Sequence, residues 1–342
     1  MRFAFTDDQL LFRDTVRDFL QKECQPEQLR YAWVNDSGRI PEVWAGLAEM
    51  GVVGLTVPEA HGGLGMNEVD LVLLLEETGR VALPEPLVET TAVAAPLLAE
   101  SAPVEFAAEW LSRIASGDAV VAVGLVGTPF VLDADSADLI VLERDDRLVA
   151  IAADKARLEP QDSVDGSRRL FAVDWAYHDA VVLAEGEAGW HAVNRAFDRG
   201  ALGTSAQLLG LADRMLEMTV EYVKQRQQFG VPVGSFQAVK HHLADALLWL
   251  EFSRPVVYNA AYSVAHALET ASRDVSMAKA FASDAALLVA RKALQCHGAI
   301  GYTVEHDLHL WMKRSWALAR SWGDAAFHRN RVGLSILGAE PR

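Results

Sequence analysis

Apolar residues recur at helical spacing along most of the chain, and the period changes only in its middle. Near the start, Phe5-Thr6-Asp7-Asp8-Gln9 reads as a capping box, with Thr6 at the N-cap and Gln9 three positions on. It leads into Leu10, Leu11, Phe12, Val16, Phe19 and Leu20, one face of an amphipathic helix. A glycine-rich loop over Val57–Met66 precedes a second helical pattern from Glu68 to Arg80. Beyond Gly117 the spacing turns β-like. Ala119–Val123, Leu139–Leu142, Leu148–Ala152, Leu170–Val173 and Ala180–Leu183 are short β-prone runs parted by Asp, Gly and Ser. From Trp190 long helical patterns return. One ends near Arg226, stopped by Gly230, Pro232 and Gly234, and another begins near Ser235-Phe236-Gln237. The expectation is a mainly α protein with a central β-domain, divided as 1–117, 118–189 and 190–342.

Composition narrows the setting. About half of the 342 residues are hydrophobic, enough for a large core in two or three subdomains. A formal net charge of -16, with no basic stretch, argues against nucleic acid. Apolar runs such as Val69–Leu75 are too short to span a bilayer, and Met1-Arg2-Phe3 opens without a signal segment, so the reading is a soluble, cytoplasmic chain. Cys24 and Cys296 lack metal-type spacing and read as reduced thiols. His306 and His309 stand three apart on Glu305–Leu310, but without further ligands they imply no metal.

Two distant segments carry the chemistry. In Arg226-Gln227-Gln228-Phe229-Gly230 a guanidinium offers a charged fork for phosphate oxygens, and Phe229 offers an apolar face to a ring or ribose. In Gln295-Cys296-His297-Gly298-Ala299-Ile300-Gly301-Tyr302, Gly298 and Gly301 leave backbone bare, and Gln295 supplies an amide that donates and accepts. Cation, amide and open backbone are what a dinucleotide pyrophosphate requires.

The pattern R-x-x-F-G-x-P-x-x-x-F-Q followed by Q-x-H-G-x-I-G-Y resembles the C-terminal domain of the flavin-dependent acyl-CoA dehydrogenases. The Pro58–Met66 loop with Glu76-Glu77-Thr78-Gly79-Arg80 resembles the N-terminal signature of the same family. The resemblance implies an N-terminal helical domain, a small β-barrel-like domain and a C-terminal four-helix bundle. It implies that Arg226, Gln228, Phe229, Phe236, Gln237, Gln295, Gly298 and Gly301 hold the ADP half of an FAD whose ring lies in a neighbouring subunit. It also implies α,β-desaturation of an acyl-CoA, with an electron-transfer flavoprotein as acceptor.

The chain departs from the family pattern in the β-domain. The flavin-contacting "TEP-AGSD" and "W-I-T-N" segments are missing, and Thr128-Pro129 is the nearest trace of the first. Asp165-Gly166-Ser167-Arg168-Arg169-Leu170 resembles a stretch of actinobacterial members, and its paired arginines read as a solvated strand edge. The chemistry needs a carboxylate beside the α-carbon. One family position for it holds Trp322, which cannot take a proton; the other holds Asp198, one methylene shorter than the family's Glu. Asp198 is either that base or a helix N-terminal carboxylate paired with Arg199 or Arg195. Retained ADP motifs beside missing ring and base segments resemble the short chain of actinobacterial α2β2 acyl-CoA dehydrogenases that act on steroid side-chain thioesters. A homologous partner subunit is the expectation, with a self-sufficient homo-oligomer using Asp198, or a non-catalytic scaffold, as alternatives.

Overall fold

The computed structural model describes residues 4–125, 130–144 and 147–338. Helices α1 (Asp7–Glu23), α2 (Pro26–Ala32), α3 (Pro41–Glu49) and α4 (Glu68–Arg80) open the chain. A π-helix (Val88–Ala94) runs into α5 (Ala95–Ser101), and α6 (Val104–Ala115) closes this part. The predicted capping box starts α1, with Thr6 and Gln9 satisfying each other's backbone N–H groups. Helix α4 begins with a second such box, built from Asn67 and Asp70.

Seven strands follow: β1 (Val121–Gly124), β2 (Val131–Leu132), β3 (Leu139–Arg144), β4 (Arg147–Ala152), β5 (Arg157–Gln161), β6 (Leu170–Asp174) and β7 (Val181–Glu185). They form two sheets, ordered β1-β3-β4-β7 and β2-β6-β5. The first is antiparallel except where β1 runs parallel to β3. Strands β1, β3 and β4 are apolar at most positions because both of their faces are covered, whereas β7 is largely exposed. Val121, Val123, Leu139, Val141, Leu148 and Ala150 join the main helical core. The alternate residues Ala122, Ile140, Leu142, Val149 and Ile151 join Val131 and Phe171 in a smaller core between the sheets. Of the runs predicted as strands, all five lie in β1, β3, β4, β6 and β7. The short β2 and the polar β5 were not anticipated.

The remainder is helical: α7 (Gly186–Gln225), α8 (Gln237–Ala265), α9 (Ala271–His297), α10 (Leu308–Leu318) and α11 (Ala325–Leu337). Between α7 and α8 a two-strand hairpin pairs Gln227-Gln228 with Val231-Pro232. The Glu76–Arg80 signature acts as a clasp. Glu77 pairs with Arg17 of α1 at 2.6 Å, Glu76 pairs with Arg254 and accepts from the Tyr258 hydroxyl at 2.6 Å, and Arg80 pairs with Asp213 and, at 2.9 Å, with Glu217. Gly79 and Gly210 let α4 and α7 touch backbone to backbone, since a Cβ on either would overlap the other helix's carbonyl oxygen.

Candidate functional site

The two distant motifs meet at one end of the helical bundle. The Tyr222 ring, one turn before Arg226, stacks on His297 at 4.3 Å between centroids, and its hydroxyl reaches the His297 carbonyl at 3.4 Å. Arg226 caps α7 with its backbone, while its guanidinium has no ion pair or hydrogen bond among the described residues. Phe229 holds a left-handed φ of 53° and is 92% exposed, meeting Phe236 edge to face at 6.1 Å. An apolar ring held in solvent by a strained backbone has no reason inside this chain. Gln295 and Gly298 are exposed, and a Cβ on Gly298 would meet nothing within 4 Å. Gln237 and Gln228 spend their amides locally, on His241 at 3.2 Å and on the Gln227 carbonyl at 2.8 Å. Gly301 is buried, and a Cβ there would lie 2.9 Å from Leu294 Cδ1, so packing explains this glycine. An outward cation, aromatic face and bare backbone fit one half of a dinucleotide.

Away from these residues, a cavity of about 460 Å³ opens where β1, β2, the 162–168 loop, the π-helix and the end of α10 converge. Val123, Phe130, Leu132, Leu170, Trp316 and Trp322 give it apolar walls, and Glu89 and Arg168 bring charge to it. Burial pushes the Glu89 carboxyl up, opposed by Arg168 and the Trp322 indole. Nearby, Asp133 is buried with φ of 52°, its Oδ1 has no hydrogen-bond partner among the described residues, and burial raises its carboxyl well above its ordinary value.

This corrects the solvated-edge reading of the paired arginines. Both precede β6 in a loop docked by Asp165, which pairs with Arg314 of α10. Arg168 lines the cavity and donates to Ser321 Oγ at 3.0 Å, and burial pulls its guanidinium below its ordinary value. Arg169 pairs with Asp135 and lies over the Phe171 ring at 5.6 Å. Thr128-Pro129 lies outside the described residues.

Asp198 also needs correcting. It sits inside α7 rather than at a helix N-terminus, and Arg331 of α11 meets it at 2.8 Å. Arg199 goes instead to Glu68 and Glu100, and Arg195 to Glu100. Burial raises the Asp198 carboxyl, with Arg331 opposing, and it does not line the cavity. Trp322 does. It is buried with φ of 56°, packed against Phe197 and against Gly200, where a Cβ would overlap its indole. Lys279 fixes this segment from below. Fully buried, it donates to the Gly323 carbonyl at 3.0 Å and to Ser283 and the Ala319 carbonyl at 3.3 Å, and burial pulls it down to about 7.

The remaining sequence candidates have structural uses. Trp311 is buried and donates to the Arg80 carbonyl at 2.8 Å, and Trp316 and Trp322 wall the cavity. His306 accepts from the Leu308 amide, and His309 packs edge-on to Trp33. Among the described residues no cluster of three His, Cys, Asp or Glu could hold a metal, and no helix is long and apolar enough to cross a membrane. Cys24 and Cys296 are free, with burial pushing the Cys24 thiol up to about 12. Sequence reasoning missed Glu89, Asp133 and Lys279. For Glu89 the one available signal was a lone acid in the apolar run Leu87–Leu98.

Two sequence models match the chain: "Acyl-CoA dehydrogenase, N-terminal domain" over residues 6–118 and "Acyl-CoA dehydrogenase, C-terminal domain" over 187–337. Acyl-CoA dehydrogenase IpdE2 of Mycobacterium tuberculosis is 32% identical, the match covering 92% of either chain. Acyl-CoA dehydrogenase FadE34 of the same organism is also 32% identical over 85% of this chain, but the match covers only 41% of FadE34. The crystal structure of the ChsE4-ChsE5 complex from M. tuberculosis contains a chain that superposes with a TM-score of 0.88 over the full length of both, at 24% identity. With a helix–sheet–helix order, matched models at both ends and a relative 32% identical over nearly its whole length, the chain belongs to the acyl-CoA dehydrogenase family.

Proposed function

We propose that this chain is a subunit of an FAD-dependent acyl-CoA dehydrogenase that lends its ADP-binding arm to a homologous partner carrying the flavin ring and the base. The exposed pair Arg226 and Phe229 carries the reading: the Arg226 guanidinium has no ion pair or hydrogen bond among the described residues, and Phe229 is 92% exposed with Phe236 beside it, so a ligand from outside the chain gives both side chains a use. The ring side supports it in the opposite sense. The family's ring-contacting segments are missing, and the base position holds a buried Trp322. FadE34, of which more than half lies outside the match, leaves room for a second unit on one polypeptide, and ChsE4-ChsE5 is a complex of two chains.

Bound FAD would supply the two-electron acceptor for α,β-desaturation of an acyl-CoA. Within this chain, Arg226 would hold the pyrophosphate through charge-assisted hydrogen bonds, Phe229 and Phe236 would offer apolar faces, and Gln295 with the bare backbone at Gly298 would offer polar contacts. Gln228 and Gln237 orient the arm, and Gly301 lets α9 end close enough to α10 to present it. The substrate class we favour is a steroid side-chain CoA thioester, with an electron-transfer flavoprotein taking the electrons. The test is co-expression with a full-length homologue followed by a flavin spectrum. Flavin in the co-complex and not in this chain alone is the expected result; flavin stoichiometric with this chain alone would favour the homo-oligomer that uses Asp198.

A further inference from the structure

The cavity at the end of α10 has no task in the ADP-arm reading, since none of the arm residues lines it. Its size falls within the range of small-molecule sites. Two guanidiniums border it, Arg168 within and Arg320 on the exposed side, and neither has a carboxylate within 4 Å among the described residues. Arg168 keeps a single side-chain hydrogen bond, to Ser321 Oγ. Every other buried or half-buried arginine around this junction, Arg39, Arg169 and Arg314, has its own acid. Trp316 and Trp322 wall the same space, the first 40% exposed. The acids that could oppose an anion are Glu89 and Asp162 in the cavity lining, with Asp165 and Asp133 also acting on Arg168, the first paired with Arg314 and the second raised by burial. Glu89 is driven toward its neutral form by burial, and Asp162 is solvated.

We propose that this cavity binds an aromatic or alicyclic carboxylate, its ring between the tryptophan-lined walls and its carboxylate on Arg168, with Arg320 adding attraction at the mouth. A guanidinium inside an apolar cavity holds a carboxylate through charge-assisted hydrogen bonds that a neutral group of the same shape cannot replace. The site is separate from the dinucleotide arm, so it stands whether or not the chain needs a partner for flavin.

The experiment is calorimetric titration of the full chain with 1-naphthoate, beside neutral 1-naphthamide. Naphthoate is expected to bind at least about tenfold more tightly than the amide, and Arg168→Gln to remove about a tenfold advantage. Arg320→Gln, at the solvent side, should weaken naphthoate about threefold with no change in folding. Arg214→Gln, on α7 and outside the cavity lining, should leave it unchanged. Equal affinity for acid and amide, no binding at millimolar ligand, or displacement of naphthoate by lumiflavin would each overturn the proposal, the last by returning the cavity to a flavin ring. If Arg168→Gln fails to fold, the acid-to-amide ratio and Arg320→Gln still decide it.

Discussion

An ammonium with no exposed surface is tolerated at Lys279 because it closes the carbonyls left open where α10 ends. Its pKa falls from 10.5 to about 7 because burial penalises charge. Between these values the unfolded chain holds a proton that the folded chain has released, so stability rises as pH climbs from 7 towards 10.5. Below 7 the full cost of the buried charge is present. Relative to Lys279→Met, the wild type should therefore gain about 2 kcal/mol between pH 7 and 9, read by urea unfolding at each pH. A flat difference would mean that Lys279 stays charged throughout. At Asp198 two substitutions separate structure from catalysis. Arg331→Ala strands a buried carboxylate and should cost about 3 kcal/mol of stability. Asp198→Asn should leave turnover of the assembled enzyme nearly intact; a loss of a hundredfold or more would make Asp198 the base. For the arm, Arg226→Ala should weaken FAD binding about tenfold to a hundredfold, and unchanged flavin occupancy on titration would remove Arg226 from the site.

Among the elements, α4 and α7 meet backbone to backbone, and the glycines of this joint differ in sign from one elsewhere. At Gly210 a methyl would run into the Glu76 carbonyl, and neither helix backbone can step aside without loosening the Arg80 and Glu77 pairs. Gly210→Ala should cost about 3 kcal/mol. Gly333, inside α11 with nothing near its missing Cβ, should instead gain about 0.5 to 1 kcal/mol on Gly333→Ala. Thermal unfolding of the two variants checks the contrast, and equal shifts would show that the joint is not tight. This joint also shows what a sequence displays and what it hides. Helices and most strands were legible because periodicity is local, and the two short motifs stood out because their cation, ring and glycines lie close together, while their meeting at one end of the bundle needed the fold. The cavity was not, since Glu89, Arg168 and Trp322 come from three elements and meet only through tertiary packing. Strand β5 escaped because its residues are mostly exposed and lack alternation. Arg168 misled for the same reason: two arginines before a strand carry no sign that α10 will cover one of them.

At the scale of the whole molecule, the helices that carry the arm also leave an apolar face uncovered. Leu247, Leu248, Trp249 and Phe252 of α8 are exposed, Phe252 at 65%, and Met277 and Phe281 of α9 continue the surface, with Phe281 6.5 Å from the Trp249 ring. Scattered exposed apolar residues are ordinary, but six on two adjoining helices form a continuous patch of the kind that subunit contacts cover. The arm gives that contact a direction, because Arg226 and Phe229 stand exposed on the connection that leads from α7 into α8. A homo-oligomer would bring the arm to a β-domain without ring-contacting segments; a complete homologue would supply them. Phe252→Asp places a charge in the patch and leaves the core of the subunit untouched. Mass measurement by light scattering, on the chain alone and mixed with the homologue, should then show loss of the mixed assembly and of its flavin together, with the variant's helix content unchanged by circular dichroism. A mixed assembly that survives Phe252→Asp with its flavin in place would move the interface off α8 and α9, and a wild-type chain that is monodisperse and monomeric at micromolar concentration in the homologue's presence would end the heteromeric reading.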